Sequence, residues 1–113
     1  MAMRIARRGL IEASSGNVFA DLGLPDAEEL DTKVRLAVEL NRLLKVRRLS
    51  QVRAATLLGI SQPKVSALKH YKLEGFSVER LMVLLTAMGL DVEIRIKAHR
   101  AANTPGRILV AAA

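Results

Sequence analysis

Residues Ser50 to Lys72, SQVRAATLLGISQPKVSALKHYK, constrain the fold more than any other stretch, because they hold two helical patterns with room for only a tight turn between them. Leu57, Leu58, Gly59 and Ile60 close the first pattern, and Ser61 opens the second. Glycine enters the left-handed region at low steric cost and so ends a helix readily, while a serine side chain accepts from the free amides at the start of the next one. Ile60 ahead of that cap and Val65 four residues after it have the spacing of a hydrophobic staple, which sets the angle at which the second helix leaves the turn. Pro63 falls in the first turn, where a missing N–H costs nothing.

The shared apolar face of the two helices is expected from Leu58, Val65 and Leu68, with Ala55 where the backbones approach closely and a large side chain would force them apart. The opposite face of the second helix carries Gln62, Lys64, Ser66, Ala67, Lys69 and His70. Its start is short or amide-bearing and its end is cationic, a surface that can sink into the major groove of a duplex.

Together Gln51, Ala55, Gly59, Ile60, Ser61, Gln62, Val65 and Leu68 resemble the signature of the phage-repressor-like XRE helix-turn-helix family, over the stretch from Leu30 to Gly89. The combined spacing is far more specific than any single residue in it. The resemblance implies that the helix Ser61 to Lys69 enters the major groove and that Gln51 touches the phosphate backbone. It places Ser61, Gln62, Pro63, Ser66, Ala67 and His70 toward base edges, with Gln62 suited to paired hydrogen bonds to adenine. Lys64, Lys69 and Lys72 fall to the phosphates. The plainer alternatives are that Ser61 is only a cap, Gln62 only a solvated helix-start residue, and His70 only a helix-end residue beside the macrodipole.

Charge points the same way. The chain is formally +7, and from Arg42 to Lys72 there are eight Lys or Arg residues and no Asp or Glu. Such a run is the electrostatic footprint of a polyanion partner, or else a basic face kept for solubility. A membrane partner is not expected, since no 18-residue apolar run exists and the apolar residues here are used between helices. The 113 residues suit one compact domain with tails. Met1 to Leu10 lacks an apolar signal-peptide core, so the expected location is the cytoplasm. The aromatic residues are only Phe19, Tyr71 and Phe76, too few for base-stacking platforms. With no cysteine and two histidines, His70 and His99, neither a metal site nor a nucleophile with its base can be assembled, and no enzyme activity or cofactor is expected.

Along the chain, residues 1–24 read as an N-terminal tail and segment. The tail is basic, with Arg4, Arg7 and Arg8, and is followed by the small apolar set Val18, Phe19, Leu22 and Leu24. Residues 25–97 form the helix-turn-helix domain. Pro25, Asp26 and Glu29 begin a long helix running to about Arg48, and Ser77 caps a further helix Val78 to Met88 whose Leu81, Leu84, Leu85 and Met88 complete the core. Residues 98–113 read as a disordered tail. The expected fold class is therefore mainly α, a bundle of four helices with one C-terminal strand.

That strand is read from Leu90 to Lys97, where Leu90, Val92, Ile94 and Ile96 alternate with Asp91, Glu93, Arg95 and Lys97. Two copies laid antiparallel about Ile94 set Asp91 opposite Lys97 and Glu93 opposite Arg95, so the strand is complementary to itself. A homodimer ribbon through Val92, Glu93, Ile94, Arg95 and Ile96 would hold two recognition helices at the spacing of a palindromic site. The rivals are pairing with a strand near Asn17 to Asp21, pairing with another protein, or a free edge strand.

Two functions follow. One is an autonomous sequence-specific repressor of double-stranded DNA. The other adds a protein partner: small XRE proteins with added terminal segments, including stretches similar to Asn17 to Leu24, resemble antitoxins paired with RelE-like or HigB-like toxins, which repress their own operon and neutralise a toxin ribonuclease through another surface.

Overall fold

The computed structural model describes residues 10–11, 27–99 and 103–112, with the backbone alone for residues 10–11. The elements in chain order are β1 (Leu10–Ile11), α1 (Ala27–Val46), α2 (Gln51–Leu58), α3 (Gln62–Lys69), α4 (Val78–Ala87) and β2 (Arg107–Ile108). The class is the expected one, mainly helical, with four helices among the described residues. The Pro25–Asp26 start of the first helix, the apolar set Val18 to Leu24 and the rival strand Asn17 to Asp21 lie outside the described residues.

Residues 33–92 form one compact unit. Leu36, Ala37, Leu40 and Leu44 of α1, Ala54 and Leu58 of α2, Val65 and Leu68 of α3, and Leu81, Leu84 and Leu85 of α4 are buried, with Leu73, Phe76 and Met88 from the connections. The spacing of the α1 set places it on one helical face, as an amphipathic helix requires. Two side-chain bonds tie α1 across this core: Asn41 Nδ2 donates to the Leu68 carbonyl at 3.0 Å, and Arg47 Nη2 donates to the Met88 carbonyl at 2.8 Å. One detail differs from the sequence reading. The fully buried small residue of α2 is Ala54, whereas Ala55 is only half-buried, because the helix turns its 54 and 58 positions inward.

Each helix start follows local chemistry. Ser50, Ser61 and Ser77 are extended N-caps, whose hydroxyl oxygens accept from the amides of Arg53 (3.2 Å), Lys64 (3.3 Å) and Arg80 (2.9 Å). The helix ends are equally uniform. In all four, a residue of positive φ follows the last turn: Arg48 (53°), Gly59 (71°), Tyr71 (58°) and Gly89 (87°). The next amide then returns five residues back in the chain, Leu49 to Leu44, Ile60 to Ala55, Lys72 to Ala67 and Leu90 to Leu85, at 2.8 to 3.2 Å. This is the wrapped Schellman-type ending, which satisfies carbonyls that the helix leaves free.

The second unit comprises the described residues at either end of the chain, up to Thr32 and from Glu93. Thr32 is buried and its hydroxyl donates to the Glu28 carbonyl at 3.0 Å, so the polar group is satisfied within its own helix. β1 and β2 pair in parallel, Leu10 with Arg107 and Ile11 with Ile108.

Two expectations meet the structure here. The closing tail is not without structure, since it carries β2, and Leu90 to Lys97, read as the C-terminal strand, forms no strand within the single chain. Residues 90–97 join no ladder among the described residues; Ile94 is 52% exposed, Ile96 is 74% exposed, and Glu93 and Arg95 form an exposed ion pair at 3.7 Å. Alternation states which residues share a face, but a strand forms only where a partner supplies the other half of its hydrogen bonds.

Because Ala54 is fully enclosed between helices, Ala54→Leu is expected to destabilise the protein by about 1–3 kcal/mol in urea denaturation, whereas Val83→Ala on the outer face of α4 should change stability by less than about 0.5 kcal/mol.

Candidate nucleic-acid interface

Helix α3 divides cleanly into an inner and an outer face. Val65 and Leu68 are inaccessible to solvent, and the sequence places them three apart so that both point into the core. Apart from Gln51, everything the sequence assigns to DNA lies elsewhere on this helix or at its ends. Ser61, Gln62, Pro63 and Lys64 are exposed around the first turn, Ser66, Ala67 and Lys69 are half-exposed, and His70 and Lys72 are exposed beyond the last turn. Gln51, half-exposed, is the first residue of α2, directly after its serine cap.

Besides the Ser61 hydroxyl, which caps α3, two of these side chains are committed to contacts within the chain. Lys64 Nζ donates to the Gly75 carbonyl at 3.2 Å and sits 5.2 Å from the centroid of the Phe76 ring. The ammonium is thus held by the α3–α4 connection, through a hydrogen bond and a cation–π contact. Its charge still adds to the local field, while one of its three donors is engaged by the loop. His70 Nδ1 lies 2.8 Å from the Ser66 carbonyl oxygen, which can only accept, so Nδ1 carries a proton and Nε2 is left as the outward-facing nitrogen.

Lys64, Phe76 and Arg80 line a pocket of about 290 Å³ together with Gly59, Ile60 and Ser61. Arg80, a cation near the start of α4, therefore shares a hollow with the first turn of α3. The sequence reading did not single it out, since contact between residues 64 and 80 depends on how two helices cross. Asn41 was missed for the same reason. Its amide fastens the last turn of α3 to α1, while its Oδ1 is buried without a partner among the described residues.

The result is a short helix clamped at three points, by its inner leucine and valine, by Asn41 at its C-terminal turn and by Lys64 at its N-terminal turn. It presents an uncluttered row of small and amide side chains flanked by cations. Such a row can approach a grooved polyanion without desolvating a bulky group.

The comparisons agree with this geometry. Residues 18–97 match the family described as helix-turn-helix domain. The chain is also similar to a solved structure described as an XRE family transcriptional regulator, at 60% identity and a TM-score of 0.75, over 79% of this chain and 100% of the other. No protein of curated function matches. The chain belongs to the helix-turn-helix domain family and, by its likeness to that solved structure, to the XRE family of transcriptional regulators.

If the outer row of α3 reads bases, Gln62→Ala with Ser66→Ala is expected to flatten the preference among duplexes selected from a random pool, each lost base contact costing about 1–3 kcal/mol of discrimination. An unchanged preference would place the reading surface elsewhere.

Proposed function

We propose that this protein is a sequence-specific transcriptional repressor that binds a palindromic operator in double-stranded DNA as a homodimer, in the cytoplasm. The observation that carries the reading is the exposed row Gln62, Pro63, Ser66 and Ala67 on a helix whose opposite side is fully buried. In this account α3 lies in the major groove, Gln62 and Ser66 meet base edges, and Gln51, Lys69 and Lys72 meet phosphates. The eight cations between Arg42 and Lys72 supply a non-specific, salt-sensitive share of the affinity.

The dimer is assigned to Leu90–Lys97. Its apolar residues Ile94 and Ile96 are exposed in the single chain, and its charges are complementary about Ile94. Antiparallel pairing of two copies covers that face and completes the hydrogen bonds that one chain leaves open.

We further propose that the repressor is the antitoxin of a two-protein operon, neutralising a RelE-like or HigB-like toxin and repressing its own promoter. Supporting this are the segments that flank its helical unit, including Asn17 to Leu24. An autonomous repressor is the second reading, favoured by the solved neighbour, which is described as a transcriptional regulator.

Two experiments test these points. Arg95→Glu is expected to shift the protein toward monomer in analytical ultracentrifugation, and adding Glu93→Arg should restore the dimer; failure of the double variant to recover rules out the antiparallel register. For the function itself, tagged protein recovered from its native host is expected to carry its own promoter DNA and a small basic protein. Promoter DNA alone supports the autonomous repressor, and recovery of neither contradicts both readings.

A further inference from the structure

All four helices of the described residues end with the same wrapped turn, and all four place a residue of positive φ at its corner. Two of the corners are glycine, the residue that takes this conformation freely. The other two are Arg48 at 53° and Tyr71 at 58°, where a side chain is sterically disfavoured. The third non-glycine residue of positive φ, Asn103, is of a type that tolerates it.

The two exceptions are not scattered. Arg48 stands two residues ahead of Ser50, the cap of α2, and Tyr71 directly follows His70, the cap residue ending α3. They bracket the helix-turn-helix, while the glycine corners fall inside it and after α4. Both side chains are exposed, Tyr71 by 43%, and neither makes a hydrogen bond or ion pair among the described residues. Each ends in a donor suited to a phosphate oxygen, one a guanidinium and the other a phenol. Tyr71 lies between His70 and Lys72, inside the cationic end of α3. Backbone strain retained at exposed, unpartnered side chains points to a role outside the fold.

We propose that Arg48 and Tyr71 are DNA-backbone contacts, a pair of phosphate clamps at the two ends of the helix-turn-helix. The proposal rests on the DNA-binding reading above. It adds two contacts to those expected from α3 and the start of α2, and it gives them different electrostatic signatures. Arg48 displaces a counterion when it binds a phosphate, whereas the neutral phenol of Tyr71 does not.

The test uses the full chain with Arg48→Gly, Arg48→Lys, Tyr71→Gly and Tyr71→Phe, titrated across a salt series with a duplex from upstream of the protein's own reading frame and with a scrambled duplex. Glycine suits both corners, so the melting temperature of each glycine variant is expected to hold or rise. Affinity for both duplexes is expected to fall about tenfold in each glycine variant, the loss of one strong hydrogen bond. The slope of log affinity against log salt should shrink by about 0.9 for Arg48→Gly and stay unchanged for Tyr71→Gly. Arg48→Lys should keep the slope, and Tyr71→Phe should lose affinity as Tyr71→Gly does. Wild-type affinity in both glycine variants, or a loss of affinity accompanied by a lower melting temperature, overturns the clamps and leaves the DNA-binding reading intact. Wild-type protein that binds neither duplex overturns that reading and the clamps with it.

Discussion

Everything on the outer side of this protein depends on the burial of Val65 and Leu68. An eight-residue helix has no stability of its own in water, because its nucleation cost is not recovered over two turns. It persists here because its inner face is enclosed by the core of the 33–92 unit, and its direction is set by two polar ties. Asn41 holds the carbonyl end and Lys64 holds the amide end through the Gly75 carbonyl and the Phe76 ring. A side chain can be aimed at a base edge only if the helix beneath it does not move, so the packing is a precondition of any readout.

The local features were the legible ones. Serine caps, the Gly59 corner and the placement of Pro63 involve partners within a few residues, and the sequence carries both halves of each interaction. Core positions at helical spacing were legible for the same reason, apart from the slip between Ala54 and Ala55, where two adjacent alanines offer no difference in character. Arg48 and Tyr71 at left-handed corners could not be read, since neither residue type advertises positive φ. Contacts between distant residues were also hidden: nothing near Lys64 in the sequence indicates that its ammonium ends above Phe76, or that Arg107 and Ile108 find their ladder at Leu10 and Ile11.

The region Leu90 to Lys97 shows how far a pattern reaches. Its alternation states that one face is apolar and the other charged, and the single chain leaves Ile94 and Ile96 on the surface, as a half-assembled strand does. In the proposed dimer a second copy would satisfy both charge pairs, and the spacing of operator half-sites would follow from how the two copies pair.

The central claim is that α3 reads the major groove from each half of a symmetric dimer. Dimethyl sulfate protection of guanine N7 on the bound promoter duplex measures this directly. The account predicts two protected patches in the major groove on one face of the duplex, with centres about one helical turn, or roughly 34 Å, apart. Binding that leaves every guanine N7 in the site reactive, with protection confined to the sugar–phosphate backbone, would contradict it.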